Sequence, residues 1–280
     1  MGVVRAETVK TTRRMRTYIA FGVVAVIPVI ITIALKLNPP DNPGGGNGPG
    51  AGLFYYTAHF SGVVLPFAAL RVMSAFLLII VVAIFGGDAM ASDASWGNLR
   101  FVLMRPVARM KLVLSKFWVA TLVSWAAVAT VSIVALVIGG IVFGWHALDA
   151  PRFSEGHFSV LHQSIGTLIW HLVVATAYIS WMLTGLVAFT FMLSCMTDVP
   201  YGAIVTGVGF YIVSQILDAI EPLGSLRYNL PTHYFDNWSD LILQGHATSN
   251  MARGALLMIG YVLLFMGVAL WWFRRKDVLS

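Results

Sequence analysis

The chain has 280 residues, of which 58% are hydrophobic and only 11% are charged. A soluble domain usually carries about a quarter charged residues, so this chain would have too little polar surface to cover itself in water. The composition therefore excludes an ordinary soluble domain and indicates a protein that lies in a bilayer.

The formal net charge is +6, and the positions of the basic residues predict a membrane topology rather than a nucleic-acid-binding surface. Of the 18 basic residues, 13 precede the first apolar run, follow the second run, or follow the last run. If the apolar runs cross the membrane in turn, all 13 lie on one side. The positive-inside rule then places both termini and residues 88–116 in the cytoplasm of a multi-pass plasma-membrane protein.

A short amphipathic helix is predicted over residues 1–17. Its charged residues recur at spacings of three and four, with valines between them; they include Glu7, Lys10, Arg13 and Arg14. A helix with such a basic face is suited to the headgroup region of the inner leaflet. The alternative is that these residues serve only to orient the first span.

Six apolar runs reach the length that a membrane-spanning helix needs, roughly 17–25 residues. They cover residues 18–37, 63–86, 117–143, 167–194, 201–220 and 254–273. Most are rich in Val, Ile, Leu and Ala and lack the strict alternation of a β-barrel strand, so helices are predicted. The fold class predicted from the sequence is a single all-α integral membrane domain over residues 1–280.

Three polar residues within these runs are candidates for a transport pathway: Arg71, Tyr211 and Asp218. Arg71 and Asp218 lie at similar depths toward the outer side, where they either pair and line a pathway or, for Arg71, reach the interface with the end of a long side chain. The fifth run also contains Gly202, Gly207 and Gly209, which favour close helix contacts or ordinary packing.

The segments outside the runs carry weaker signals. Residues 38–52 are rich in Pro and Gly and predict a flexible external connector. Residues 221–253 are rich in aromatics and predict an interfacial belt or a short helix on the outer leaflet. Cys195 is interpreted as a packing residue. The histidines at positions 157, 162, 171, 233 and 246 are too loosely spaced to predict a metal site, and we expect them to be solvated or interfacial.

The most informative segment is the polar, basic loop between the second and third runs. Gly86-Gly87 would let the chain turn out of the bilayer at the end of the second run. A short helix is predicted from Asp93 to Met104, and Trp96, Leu99 and Leu103 would form its apolar ridge. Pro106 would end this helix near Arg105.

This loop resembles the first cytoplasmic loop of ABC-2-type transporter permeases, which usually reads Glu-x-x-x-Gly-Thr-Leu-Arg-x-Leu-Leu-x-x-Pro-x-x-Arg, with a Lys seven residues later. Asp93 stands at the glutamate position and Asn98 replaces the threonine. The residues that match the pattern are Gly97, Leu99, Arg100, Leu103, Pro106, Arg109 and Lys116. The run Leu230–Trp238 shows a weaker likeness to the external segment of the same permeases.

The resemblance implies that residues 1–17 form an elbow helix and that residues 88–116 form a coupling helix that docks into a separate ATPase subunit. It also implies two permease copies and two ATPase subunits, with outward transport of a hydrophobic or lipid-like substrate. A homodimer is expected, and a heterodimer with a related permease stays open. ATP and Mg²⁺ would bind the ATPase, and no cofactor is expected on this chain.

The chain contains no Gly-x-x-x-x-Gly-Lys-[Ser/Thr] motif, so ATP hydrolysis by a P-loop would have to come from a partner. A non-catalytic membrane subunit is therefore predicted. Two other classes remain open. An ion-coupled secondary transporter or channel would use polar groups near the membrane midplane. A membrane-embedded enzyme would need a catalytic constellation, and none of the familiar motifs occurs in the sequence.

Overall fold

A computed structural model describes residues 2–39, 51–95, 109–154, 157–243 and 248–275. Within these ranges six helices are long and apolar enough to span a membrane, which confirms the predicted all-α membrane fold. The helices are α1 (Gly2–Thr12), α2 (Met15–Leu37), α3 (Ala51–Phe60), α4 (Leu65–Ala75), α5 (Leu77–Ser95), α6 (Arg109–Phe143), α7 (Ile165–Met196), α8 (Pro200–Ala219), α9 (Asp240–Leu243) and α10 (Ser249–Arg275). The six long spans are α2, α5, α6, α7, α8 and α10.

The predicted helix over residues 1–17 is two elements in the structure. Helix α1 ends at Thr12 and α2 begins at Met15, with Arg14 in an extended conformation between them. The hydroxyl of Thr17 donates a hydrogen bond of 2.6 Å to the carbonyl of Thr11, which ties the first turn of α2 to the end of α1. The first span therefore starts with a bend that sets α1 apart from it.

The second span differs most from its predicted bounds of 63–86. It breaks at Phe76, where the backbone leaves helical geometry between α4 and α5. Helix α5 then continues through Gly86 and Gly87 to Ser95, so the prediction that the chain turns out at the two glycines is wrong. A Cβ atom on Gly86 would collide with Thr190, and one on Gly87 would crowd Ile204. The glycines instead allow α5 to pack closely on α7 and α8.

The third span is also longer than predicted, because α6 begins at Arg109 rather than at residue 117. Residue 93 lies within α5, so the short loop helix predicted to start at Asp93 does not begin there. The rest of that predicted helix, up to Met104, lies outside the described residues.

A two-stranded antiparallel hairpin interrupts the helical fold between α6 and α7, where a loop was expected. Strand β1 (Leu148–Ser154) pairs with β2 (His157–Gln163), with Leu148 opposite Gln163. The Gln163 side chain is buried and donates a hydrogen bond of 3.1 Å to the carbonyl of Ile242. The hairpin is thereby tied to the segment that follows α8.

The segment after α8 folds into two 3₁₀ helices, Glu221–Asn229 and Phe235–Ser239, followed by α9. Trp238 in the second of these is fully buried and stacks on Phe54 and Phe67, with ring centroids 5.8 Å and 6.4 Å away. The aromatic signal of residues 221–253 therefore reflects, at Trp238, packing inside the protein rather than an interfacial belt.

The core lies around α5 and α7. Helix α7 packs against α5, α6 and α10, and α5 also contacts α8. We call the end of this bundle that carries α1, the end of α5 and the start of α6 the ionic end. The opposite end, with the β hairpin and the 3₁₀ helices, is called the hairpin end.

Candidate functional site: an ionic cluster joining three helices

A set of charged side chains from three sequence-distant elements meets at the ionic end. We call this set the ionic cluster. Its members are Glu7 and Lys10 of α1, Arg14 and Arg16 at the junction with α2, Asp88 and Asp93 of α5, and Lys116 of α6.

The centre of the cluster is the ion pair between Asp93 and Lys116. Both side chains are almost fully enclosed, with 2% and 3% of their surface exposed. The ammonium of Lys116 also donates to the Glu7 carboxylate and to the carbonyl of Ala89, both at 3.2 Å. The Lys10 ammonium approaches Asp93 from α1 at 2.7 Å. One buried carboxylate thus binds cations from two other helices.

A second carboxylate, Asp88, lies one and a half turns earlier on α5. Arg14 donates to it at 2.8 Å, and Arg16 donates to its other oxygen. Arg14 also reaches the hydroxyl of Ser92 at 3.2 Å and Asp93 at 3.4 Å. A spacing of four places residues 88 and 92 on one face of α5, and residue 93 lies about 100° further round the same side of the helix. That side faces the elements that precede the first span.

The charges of the cluster compensate one another almost completely, with four cations and three carboxylates. Removing a charge from water costs several kcal/mol, which only good geometry and full pairing can offset. Loss of Asp93 would leave Lys116 buried with Glu7 as its remaining charged partner. The cluster therefore favours one relative placement of α1, α5 and α6.

Helix α5 is held from its other side by Ser194 of α7. The Ser194 hydroxyl accepts hydrogen bonds from the backbone N–H groups of Met90 and Ala91, at 3.0 Å and 2.8 Å. A side chain that binds helix N–H groups competes with the helix's own carbonyl acceptors at that level. The contact lies between Asp88 and Asp93, so the last turns of α5 are fixed by α7 and by the ionic cluster together.

The comparison with known families adds one result. A family model described as a protein of unknown function, DUF2705, matches residues 54–279. This chain belongs to the DUF2705 family. No curated protein matches it significantly. The matched DUF2705 region contains Asp88, Asp93 and Lys116, whereas α1, α2 and the other cluster residues precede it.

The loop residues predicted to couple to an ATPase divide into two groups in this DUF2705 protein. Asp93 and Lys116 lie within α5 and α6 and bind each other in the ionic cluster. Arg109 is the first residue of α6. The others lie outside the described residues: Trp96, Gly97, Leu99, Arg100, Leu103 and Pro106.

The residues predicted on the elbow helix are found at the same site. Glu7, Lys10 and Arg14 turn toward α5 and α6, whereas Arg13 is exposed. The basic face of α1 is therefore directed in part at acidic side chains of the protein and not only at lipid headgroups. Sequence reasoning missed Asp88 and Arg16 as members of the cluster. The acidic pair at positions 88 and 93, next to an apolar run, was the available signal.

The candidate pathway residues lie toward the hairpin end and do not form the predicted pair. Arg71 binds Asp236 at 2.5 Å, and Asp218 binds His233 at the same distance, so the alternative in which Arg71 pairs with Asp218 is wrong. The second 3₁₀ helix, within the segment where a short helix was one of two expectations, supplies the partner of Arg71. Tyr211 is buried edge-on against Phe235, and its hydroxyl has no hydrogen-bond partner among the described residues.

The small residues have mixed roles. A Cβ on Gly207 would collide with Thr190, so this glycine allows close packing of α8 on α7. A Cβ on Gly202 or Gly209 would have no neighbour within 4 Å. Cys195 is buried, as expected of a packing residue. His171 is also buried and lies 3.3 Å from the Gln163 side chain, so the expectation of a solvated or interfacial histidine is wrong there.

Proposed function

We propose that this chain is the membrane subunit of an ATP-binding cassette transporter and that the ionic cluster transmits motion between its ATPase and its membrane helices. The observation that carries the proposal is the ion pair between Asp93 and Lys116. It joins the helices on either side of residues 96–108, the segment that resembles the ABC-2 coupling loop.

A loop that transmits force must be attached to the helices it moves. Asp93 precedes the loop segment by three residues and Lys116 follows it by eight. Their pairing holds both ends of the loop in fixed relation, while Lys10 and Arg14 attach the same point to α1. Displacement of the loop by a partner would therefore move α1, α5 and α6 together rather than bend one of them alone.

The proposed assembly contains two copies of this chain and two ATPase subunits, with the homodimer preferred because closed symmetry needs only one permease gene. Helices α2 and α8 bury little of their surface within one copy and leave apolar side chains for a second copy or for lipid. ATP and Mg²⁺ would bind the ATPase subunits. The substrate would be hydrophobic or lipid-like and would move outward.

Co-purification with the ATPase tests the proposal. An ATP-binding cassette gene next to this one would be co-expressed with a tagged permease. Gly97→Trp should abolish capture of the ATPase, or uncouple its hydrolysis from transport, without loss of membrane insertion. The matched control is Gly260→Trp, since a side chain at Gly260 meets open space in the structure. Undiminished capture and transport with Gly97→Trp would refute the coupling role.

The mass of the purified complex tests the stoichiometry. Two permease and two ATPase chains are expected in detergent or nanodiscs. An active particle with one of each would contradict the proposed assembly.

Labelling of single cysteines tests the orientation. In a Cys195→Ala background, cysteines would replace Arg13 at the ionic end and Leu226 at the hairpin end, both exposed positions. An impermeant reagent should label position 226 from outside and leave position 13 unlabelled until the membrane is opened. The reverse pattern would overturn a cytoplasmic ionic end and with it the proposed ATPase contact.

The alternative is an ion-coupled transporter or channel, and the Asp218–His233 pair is the observation that favours it. Carboxylate–histidine pairs are the kind of polar group that proton-coupled transporters place along their pathways. Transport by vesicles that contain the permease alone, driven by a pH gradient and lost in Asp218→Asn, would support this alternative. Transport that requires the ATPase and ATP, and that persists without a gradient, would exclude it.

A further inference from the structure

A partly open pocket lies beside the ionic cluster, between α1, α2, α5 and α6. One side is polar and includes Arg14, Arg16 and Lys116. The other side is apolar and includes Phe85 and Val119. A pocket with a charged rim and an apolar wall fits an amphiphile better than a small polar solute.

We propose that this pocket binds an anionic phospholipid, with the phosphodiester at Arg16 and an acyl chain along the apolar wall. The charged groups that line the pocket are three cations and the two carboxylates Glu7 and Asp88. The lining therefore carries a net charge of one positive unit. Lys10 and Asp93, which belong to the cluster but do not line the pocket, cancel each other and leave this net charge unchanged. A phosphodiester carries a single negative charge and would balance it.

Arg16 is the cation best placed to receive the headgroup. It is the most exposed side chain of the cluster, with 47% of its surface accessible, and its ion pair with Asp88 engages one terminal nitrogen. A guanidinium has five N–H donors, so Arg16 retains donors for phosphate oxygens while bound to Asp88. The start of α2 adds to this, because no side chain caps its first N–H groups and a helix start attracts anions.

The position of the pocket identifies the source of the phosphate as a lipid. It lies where α1 ends and the spanning helix α2 begins, which is headgroup depth if α2 crosses the membrane. Directly beyond Arg16, α2 exposes Tyr18, Ile19 and Val23. A lipid at the pocket would therefore leave it along an apolar helix face and not through water.

Native mass spectrometry of the isolated chain from nanodiscs tests the proposal without any ATPase. The nanodiscs would contain phosphatidylglycerol and phosphatidylcholine in equal amounts, and retained lipid would be counted after release in detergent. We expect preferential retention of phosphatidylglycerol. Arg16→Gln should reduce it about fivefold, since one basic residue near a headgroup contributes on the order of 1 kcal/mol.

Arg13→Gln is the matched control, because Arg13 is an exposed arginine at the same junction that does not line the pocket. It should change retention by less than about twofold. Ala89→Phe tests the apolar part, since Ala89 is partly exposed and lines the pocket. It should reduce retention without altering charge, and a normal size-exclusion profile would show that each variant is folded.

Three results would overturn the proposal. Equal losses in Arg16→Gln and Arg13→Gln would mean diffuse attraction to the membrane surface and no site. Displacement of phosphatidylglycerol by millimolar inorganic phosphate would mean an anion site that does not recognise lipid. Full retention of phosphatidylglycerol by a folded Ala89→Phe variant would show that no acyl chain lies in the pocket.

Discussion

The two ends of the bundle are held by different forces. At the ionic end, buried carboxylates and cations from α1, α5 and α6 neutralise one another. At the hairpin end, Trp238 stacks on Phe54 and Phe67, and the hydrogen-bonded pair Asp218–His233 keeps about a fifth of each side chain exposed. Each end joins segments that are far apart in the chain. The ionic end does so with buried charges, and the hairpin end does so with aromatic surface and with partly exposed polar pairs such as Arg71–Asp236.

This difference bears on how each end can move. Aromatic packing loses energy continuously as surfaces separate, and a buried Trp has few alternative partners. In the ionic cluster, Asp88 and Asp93 each bind more than one cation, whereas Glu7 binds Lys116. The contacts at both ends favour one arrangement, but breaking them would cost apolar contact at the hairpin end and would leave a buried charge poorly paired at the ionic end.

The strongest test of the packing at the hairpin end is Trp238→Ala. Truncation of this fully buried ring should lower the free energy of unfolding by about 3–5 kcal/mol, because it removes a large apolar contact and leaves a cavity between Phe54 and Phe67. Thermal unfolding in nanodiscs measures the loss. Trp170→Ala is the control, since Trp170 is 64% exposed, and it should change stability by less than about 0.5 kcal/mol.

The ionic end is tested by Asp93→Asn, which should lower the free energy of unfolding by about 3 kcal/mol. The reason is that Lys116 stays buried with only Glu7 as a charged partner. The double variant Asp93→Asn with Lys116→Met should be less destabilised than the sum of the two single variants, as measured by a double-mutant cycle. Additive losses would show that the pair does not act as a unit.

The attachment of α5 to α7 is tested by Ser194→Ala. This change removes the acceptor for two buried N–H groups and should lower the free energy of unfolding by roughly 1–3 kcal/mol. Ser115→Ala is the matched control, because its buried hydroxyl bonds only a carbonyl of its own helix, that of Leu112. Equal effects of the two changes would mean that Ser194 does not anchor α5.

The smallest effect is expected at the partly exposed Asp218 of the hairpin end, which binds His233 and lies 3.7 Å from the Arg227 guanidinium. Asp218→Asn should change the free energy of unfolding by about 1 kcal/mol or less, because solvent screens a partly exposed pair. The same experiment repeated in high salt should show a still smaller difference. A loss as large as that of Asp93→Asn would remove the contrast between the two ends.

The features of this protein that depend on consecutive residues could be predicted from the sequence. A spanning helix needs a continuous apolar stretch, so the six long spans could be found from composition alone. The spacing of the charged residues also predicted an amino-terminal helix, and the structure contains it as α1. The pattern around residues 93–116 drew attention to the region that contains the candidate site.

The contacts that join these elements could be seen only in the tertiary structure. Lys10 and Asp93 are 83 residues apart, and Glu7 and Lys116 are 109 residues apart, so no local pattern could pair them. The glycines at 86 and 87 indicated a turn locally, but contacts with α7 and α8 make them sites of close packing within a continuous helix. Arg71 binds Asp236 rather than Asp218, because the segment after α8 packs against α4. Apolar length is a property of a segment, whereas the partner of a buried charge is set by whichever elements the fold brings next to it.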